Sequence, residues 1–268
     1  VSETDIHPTA IVDPGARLGA GVKVGPYCVI GAHVQVGDGC RLHNHVTLAG
    51  PSVIGADNVF YPCASIGQQT QDLKYKGEPT HLSVGDGNTF REFVTVHRGT
   101  APGSCTRIGN AGNYLAYSHV AHDCTVGDRV IFSNNGTIAG HVEVEDYAII
   151  GGLTAVHQYC RIGRHAITGG CSKIGQDVPP FMIADGNPAL VRGINQVGLE
   201  RHGFDAGNVK KLREAYRLLY RSEYNVKQAV EEIRATLWGT PEIGQLVAFI
   251  EASARGIIRR PVKGAEEE

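Results

Sequence analysis

Bulky side chains are scarce in this sequence: aromatics make up only 7% of the 268 residues, whereas glycine occurs 35 times. That balance disfavours a conventional globular core and suggests many turns packed around small side chains. No stretch approaches the roughly 20 consecutive apolar residues needed to cross a bilayer. The N-terminal segment VSETDIHPTA also lacks a basic region followed by an apolar one. No transmembrane segment is expected, and the chain reads as soluble and cytoplasmic. Long runs of Lys and Arg interleaved with aromatics are missing and the net charge is −2, so nucleic acid is set aside as a partner. Seven cysteines occur, never as CxxC, and an odd number in an unsecreted chain argues against a disulfide framework.

What the sequence does have is a period of six. Every sixth residue from Ile6 is apolar through Val12, Leu18, Val24, Ile30, Val36, Leu42, Leu48, Ile54, Phe60 and Ile66. The register resumes at Val84, Phe90 and Val96, then runs from Ile108 to Ile174 with Thr168 as the one departure. Glycine often follows the apolar residue, as at Gly25, Gly37, Gly127, Gly151 and Gly163, and the expectation is that it supplies the positive φ of a corner. Four places after the apolar residue comes a small or β-branched side chain, a slot shared by Cys28, Cys40, Cys124 and Cys160; these read as small buried residues. Period six excludes an α-helical stripe and is too long for simple strand alternation. Three short strands per turn make a triangular coil whose rungs stack about 4.8 Å apart. The fold class expected is mainly β, a parallel β-helix of hexapeptide repeats. Two interruptions, near 68–81 and 100–106, return in register and read as loops that often hold functional residues.

The repeat stops after Val178–Pro180, and three segments then space their apolar residues for helices, beginning near Val209, Val226 and Ile243. Thr240 before Pro241 reads as a helix N-cap. The domains expected are a β-helix over 1–190 and a C-terminal α-helical domain over 191–268. From residue 191 onward there are 13 Lys and Arg against 11 Asp and Glu, three of which are Glu266, Glu267 and Glu268. The cap without that tail is basic, which suits either an ordinary solvated surface or a dock for an acidic partner.

Reduced by an eighteen-residue coil, His122, His141 and His157 fall at one corner on successive rungs, with Asp123, Gly140 and Gln158 in the same sector and His119 on the preceding edge. One histidine on such a surface, such as His33 or His165, is ordinarily packing or solvent contact. Stacked histidines beside a carboxylate point to chemistry. One imidazole can act as general base on a hydroxyl while its neighbours position substrate; alternatively, three histidines can hold a catalytic zinc, as in β-helical carbonic anhydrases. A non-catalytic binding scaffold is the third option.

The repeat resembles that of the hexapeptide-repeat acyltransferases, which implies a left-handed coil. More specifically, QDLKYKGEPT at 71–80, HRGT at 97–100, HVAHDCTVG at 119–127, AGHVEV at 139–144, AVHQYC at 155–160, GGCS at 169–172 and QDVPPF at 176–181 are similar to the UDP-N-acetylglucosamine O-acyltransferases over nearly the whole chain. The resemblance implies acyl transfer from acyl carrier protein to the 3-hydroxyl of UDP-N-acetylglucosamine, opening lipid A synthesis, with no cofactor and no metal. It implies His122 as general base, Asp123 as its orienting partner and the Gly140 N–H as oxyanion donor. It assigns Gln71, Asp72, Lys74, His119, His141, His157 and Gln158 to substrate, Gly170 to acyl-length selection, and Asn195 and Arg201 to the nucleotide end. It further implies a homotrimer with clefts shared between prisms. Val197 and His202 depart from the family, which commonly has an acidic residue and a second arginine there. With repeats beginning at Ile6, the N-terminal uridine-binding domain of the related N-acyltransferases is not expected.

Overall fold

The computed structural model describes residues 3–259; the acidic tail at 266–268 lies outside them. The chain climbs as a left-handed parallel β-helix whose three faces hold 11, 9 and 8 strands among the described residues. Most strands are two residues long, because each must end where the chain turns a corner. The first face begins at Asp5–Ile6, the second at Ile11–Val12 and the third at Arg17–Leu18. Strands on one face pair in parallel with the rung above, as Val24 with Leu42 and Val120 with Ile138.

Inside the prism the period-six residues form continuous ladders. Val24, Leu42, Phe60, Phe90, Tyr114, Phe132 and Ile150 are all buried, and the stacked ring centroids are 5.1 Å apart for Phe60–Phe90 and 4.8 Å for Phe90–Tyr114. That spacing is the inter-strand distance itself, so the aromatics fit the core only because they lie flat across it. Truncating such a ring to alanine costs about 3–5 kcal/mol. Thr168 departs from the ladder for a polar reason: its hydroxyl accepts the Gly151 N–H at 2.9 Å. Cys28, Cys40, Cys124 and Cys160 are fully buried, and all seven cysteines are free thiols.

The corners correct one expectation. Positive φ falls three residues after the ladder residue, at Gly21 and Gly39 but also at Tyr27, His33, Asp57, Asp123 and His141. Most glycines directly after the ladder, Gly25 and Gly151 among them, do not turn the chain; Gly67, after Ile66, is an exception at φ +80°. A Cβ at the first two would run into the backbone of the rung above, 2.8 Å from the His43 carbonyl at Gly25 and 2.8 Å from the Gly169 carbonyl carbon at Gly151. At Gly25 and Gly151 close approach, not dihedral freedom, selects glycine. The turns also use acidic side chains: Asp38, Asp86, Asp128 and Asp146 each accept a backbone N–H from the coil below, at 2.7–2.9 Å.

Both interruptions return in register. Ser65–Gln68 leads into a loop over 69–80 and Thr95–His97 into one over 98–104, after which His81–Val84 and Cys105–Ile108 pair with each other on the third face. At the top, Met182–Gly186 and Ala189–Ile194 form an antiparallel hairpin on the first face. The expected boundary at 190/191 therefore cuts through a strand. Among the described residues four helices follow, α1 (Gln196–Arg201), α2 (Ala206–Tyr220), α3 (Val226–Leu237) and α4 (Pro241–Glu251). Asn195, Asp205, Asn225 and Thr240 cap their N-termini through side-chain oxygens. Asp177, buried, accepts the Arg161 N–H and the Ser253 hydroxyl and so ties the end of the cap to the prism. No helix among the described residues is long and apolar enough to cross a membrane.

Candidate active site

Eighteen-residue spacing brings residues 122, 123, 141 and 157 to the corner between the second and third faces. His122 and Asp123 lie in the turn between His119–Val120 and Thr125–Val126, and His141 in the same turn one rung up. His122 Nδ1 is 2.9 Å from Asp123 Oδ2. A carboxylate only accepts, so Nδ1 donates and the Nε2 lone pair is left free. His141 Nε2 stands 3.8 Å from the same carboxylate oxygen, and the two imidazoles meet edge to face with centroids 5.2 Å apart.

Asp123 is held from below as well. Its N–H donates to the Thr106 hydroxyl at 2.8 Å, and the Thr100 N–H reaches its carboxylate at 3.1 Å. Burial alone would raise the Asp123 carboxyl; the adjacent Ser104 hydroxyl, His122, His141 and the Thr100 N–H outweigh burial and hold it below the ordinary range. It is a carboxylate at neutral pH.

Gly140 lies against the ring. A Cβ there would stand 2.5 Å from His122 Nε2 and 3.0 Å from Nδ1, so no larger residue leaves the imidazole where it is. The Gly140 carbonyl accepts the Tyr159 N–H, while its own N–H makes no hydrogen bond among the described residues. A free donor thus lies next to a free base.

The other histidines divide. His119 is bound through Nδ1 to the Thr95 hydroxyl at 2.7 Å, and burial, with His122 nearby, lowers its pKa. His157 turns to its own chain, Nδ1 lying 3.0 Å from the Gln158 carbonyl, and both His157 and Gln158 are exposed. The side chain that packs on His141 from the next rung is instead Tyr159, stacked at 4.5 Å. The cluster with metal-ligand spacing is accordingly His122, Asp123 and His141, without the third histidine of a zinc triad.

Sequence spacing missed two neighbours. Tyr159 lies eighteen residues after His141 but is not a histidine. His97 is 5% exposed, and its ring stands 4.8 Å from His119. Burial, then the charges of His119, His122 and Arg98, pushes it down to about 4. Val96 pairs with Val120, a step of 24 and not 18 because the second loop intervenes; adding 24 would have placed His97 level with Ala121, between His119 and His122.

The first loop is tied to this corner. Asp72 accepts the Lys74 N–H at 2.9 Å, the Asp72 N–H donates to Thr70, and the Thr70 hydroxyl accepts from Thr100, whose N–H is on Asp123. Gln71 and Lys74 are exposed. The remaining candidates lie elsewhere in the single chain. Gly170 is exposed at the corner between the first and second faces. Asn195 is buried, its amide bonded to the His165 carbonyl and its oxygen to the Gly198 N–H, so it fixes α1 and with it the exposed Arg201. His202 ends α1 with its ring 5.0 Å from those of both Tyr147 and His165, and Val197 is exposed.

A left-handed coil with a histidine–carboxylate pair on one edge and a helical cap defines the hexapeptide-repeat acyltransferase class. Residues 177–258 match the family model for domain 2 of UDP N-acetylglucosamine O-acyltransferase. Among solved structures, a UDP-N-acetylglucosamine acyltransferase from Bacteroides fragilis is 37% identical with a TM-score of 0.93, over 95% of this chain and 100% of that one. The UDP-N-acetylglucosamine O-acyltransferase of Moraxella catarrhalis is 42% identical, TM-score 0.90, over 95% and 99%. The Arabidopsis UDP-N-acetylglucosamine acyltransferase is 37% identical, TM-score 0.84, over 94% and 99%. The chain belongs to the UDP-N-acetylglucosamine O-acyltransferase family.

Proposed function

We propose that the protein transfers a 3-hydroxyacyl chain from the thioester of acyl carrier protein to the 3-hydroxyl of UDP-N-acetylglucosamine, the opening step of lipid A synthesis. The observation behind the mechanism is the His122–Asp123 pair, 2.9 Å apart, packed against Gly140. His122 Nε2 takes the proton of the sugar hydroxyl as its oxygen attacks the thioester carbon. The carbonyl oxygen becomes an oxyanion that accepts the Gly140 N–H. Collapse breaks the C–S bond, and the imidazolium returns its proton to the leaving thiolate. Asp123 keeps the productive tautomer and stabilises the imidazolium between the two steps.

In this scheme Asp72 and Lys74 take the sugar and phosphates, with Gln71, His119, His141, His157 and Gln158 lining the cleft and Arg201 at the nucleotide end. Because Gly170 and His122 occupy different corners of one prism, a cleft holding both forms where two copies meet, and we take the active species to be a homotrimer. An active monomer by light scattering would remove that part. Seven free thiols fit a reducing, cytoplasmic setting, and the basic residues of the cap suit an acidic carrier protein. The reaction is tested by mass spectrometry of the product from UDP-N-acetylglucosamine and a mixture of acyl carrier proteins. A single 3-hydroxyacyl ester on the sugar is expected; an amide, or no acylated sugar nucleotide, would contradict the assignment.

A further inference from the structure

His122, Asp123 and His141 each present a ligand atom, and the three atoms lie within 4.8 Å of one another. Two of the separations are 2.9 Å (His122 Nδ1 to Asp123 Oδ2) and 3.8 Å (His141 Nε2 to the same oxygen). Zinc bonds of ~2.0–2.2 Å to imidazole nitrogen and carboxylate oxygen require neighbouring tetrahedral ligands roughly 3.4 Å apart. The two separations bracket that distance and the third lies within 4.8 Å, so side-chain shifts of up to about an ångström would close the site. Its accessibility is graded suitably: the side chains of His122 and Asp123 are 14% and 9% exposed and that of His141 is 38% exposed. Two ligands are thus preorganised, and the third lies on the solvent side, leaving the fourth position open to water. Two neutral imidazoles and one carboxylate are a donor set matched to a borderline divalent ion such as Zn²⁺, and unsuited to Mg²⁺ or Ca²⁺, which prefer oxygen ligands.

We propose that this triad is an inhibitory zinc site, in which the ion and the acyl-transfer reaction compete for one imidazole. The inference rests on His122 being the general base. If zinc binds Nε2, it takes the basic lone pair directly. If it binds Nδ1, that nitrogen must give up its proton and Nε2 must hold one in a neutral ring, so Nε2 becomes a donor. Either geometry removes the base with no net redox change and no covalent step. Zinc also draws Asp123 away from its hydrogen bond with His122, so the imidazolium loses its partner. His157, directed at the Gln158 carbonyl, stands outside the triad and provides the internal control.

The test uses the full-length protein stripped with chelator, titrated with zinc chloride alone by calorimetry, and assayed for transfer with and without zinc and after excess EDTA. Saturable binding of one ion per chain is expected, with transfer lost in parallel and restored by EDTA. Each variant is scored against its own zinc-free rate. Loss of a ligand in His141→Gln should weaken zinc binding by at least about tenfold and raise the inhibition constant with it, whereas His157→Gln should leave both unchanged. Asp123→Asn, scored by calorimetry alone, should also weaken binding. Transfer that continues with zinc saturating the wild-type protein overturns the proposal, as does zinc affinity equal in wild type, His141→Gln and Asp123→Asn. Absence of transfer from the zinc-free wild type would instead strike at the acyltransferase assignment, so the two failures are distinct.

Discussion

The backbone of Gly140 lies against the imidazole of His122, with room for a hydrogen and none for a methyl: an added Cβ would stand 2.5 Å from Nε2. One rung of the coil therefore sets the ring position on the rung below. Gly140→Ala should fold, since the prism core is untouched, but displace the base. A misplacement near 1 Å is worth on the order of 10²-fold in rate. The expected result is a fall of that size in kcat with a thermal midpoint close to wild type; unchanged kcat would show that the ring is not held by this contact.

Asp123 is expected to act through tautomer choice. In Asp123→Asn the amide can donate to Nδ1, which favours the ring with its proton on Nε2 and removes the base without changing shape. Steady-state kinetics should show a loss of roughly 10²- to 10⁴-fold in kcat, with a much smaller change in KM for the sugar nucleotide. Equal losses in kcat and binding would mean that Asp123 holds substrate instead.

Acid should destabilise the fold through buried neutral histidines. Burial is the main cause holding His97 and His165 at about 4, below the roughly 6.5 of an unfolded histidine. Between those values the unfolded chain binds more protons, so stability rises with pH across the window and is lost as pH falls from 6.5 toward 4. Asp123, whose pKa is lowered on folding, adds a loss at still lower pH. Thermal midpoints measured from pH 7 to 4.5 should fall, and the slope should be shallower in His97→Gln. A slope identical to wild type would show that His97 does not titrate on unfolding.

Much of this was legible in the linear sequence because a β-helix repeats its environment. Val24, Leu42 and Phe60 face the same interior, so one period describes them all. The hairpin at 182–194 was not legible, since its strands run antiparallel and abandon the six-residue register, and α1, at six residues, is too short to show a periodic face. Positive φ was assigned two positions too early by chemistry that glycine shares: Gly25 and Gly39 answer different demands, crowding and turning, with the same residue. His97 escaped because a loop shifted the count by six, and Tyr159 because the search followed imidazole alone.

Gly170 offers a test of the cleft between copies. A Cβ there would meet only the Gly152 carbonyl, at 3.5 Å, so a longer side chain can be built without disturbing the coil. Gly170→Met should retain its thermal midpoint and shift preference from long to shorter 3-hydroxyacyl donors in a competition assay. Retained preference for the longest donor would place the acyl chain elsewhere.

The direct test of the His122 mechanism is the rate of ester formation on UDP-N-acetylglucosamine by His122→Ala, measured beside wild type at equal folded concentration. Loss of the base predicts a rate lower by ~10²- to 10⁴-fold or more with the coil intact by circular dichroism. Transfer at the wild-type rate by the folded variant would contradict it.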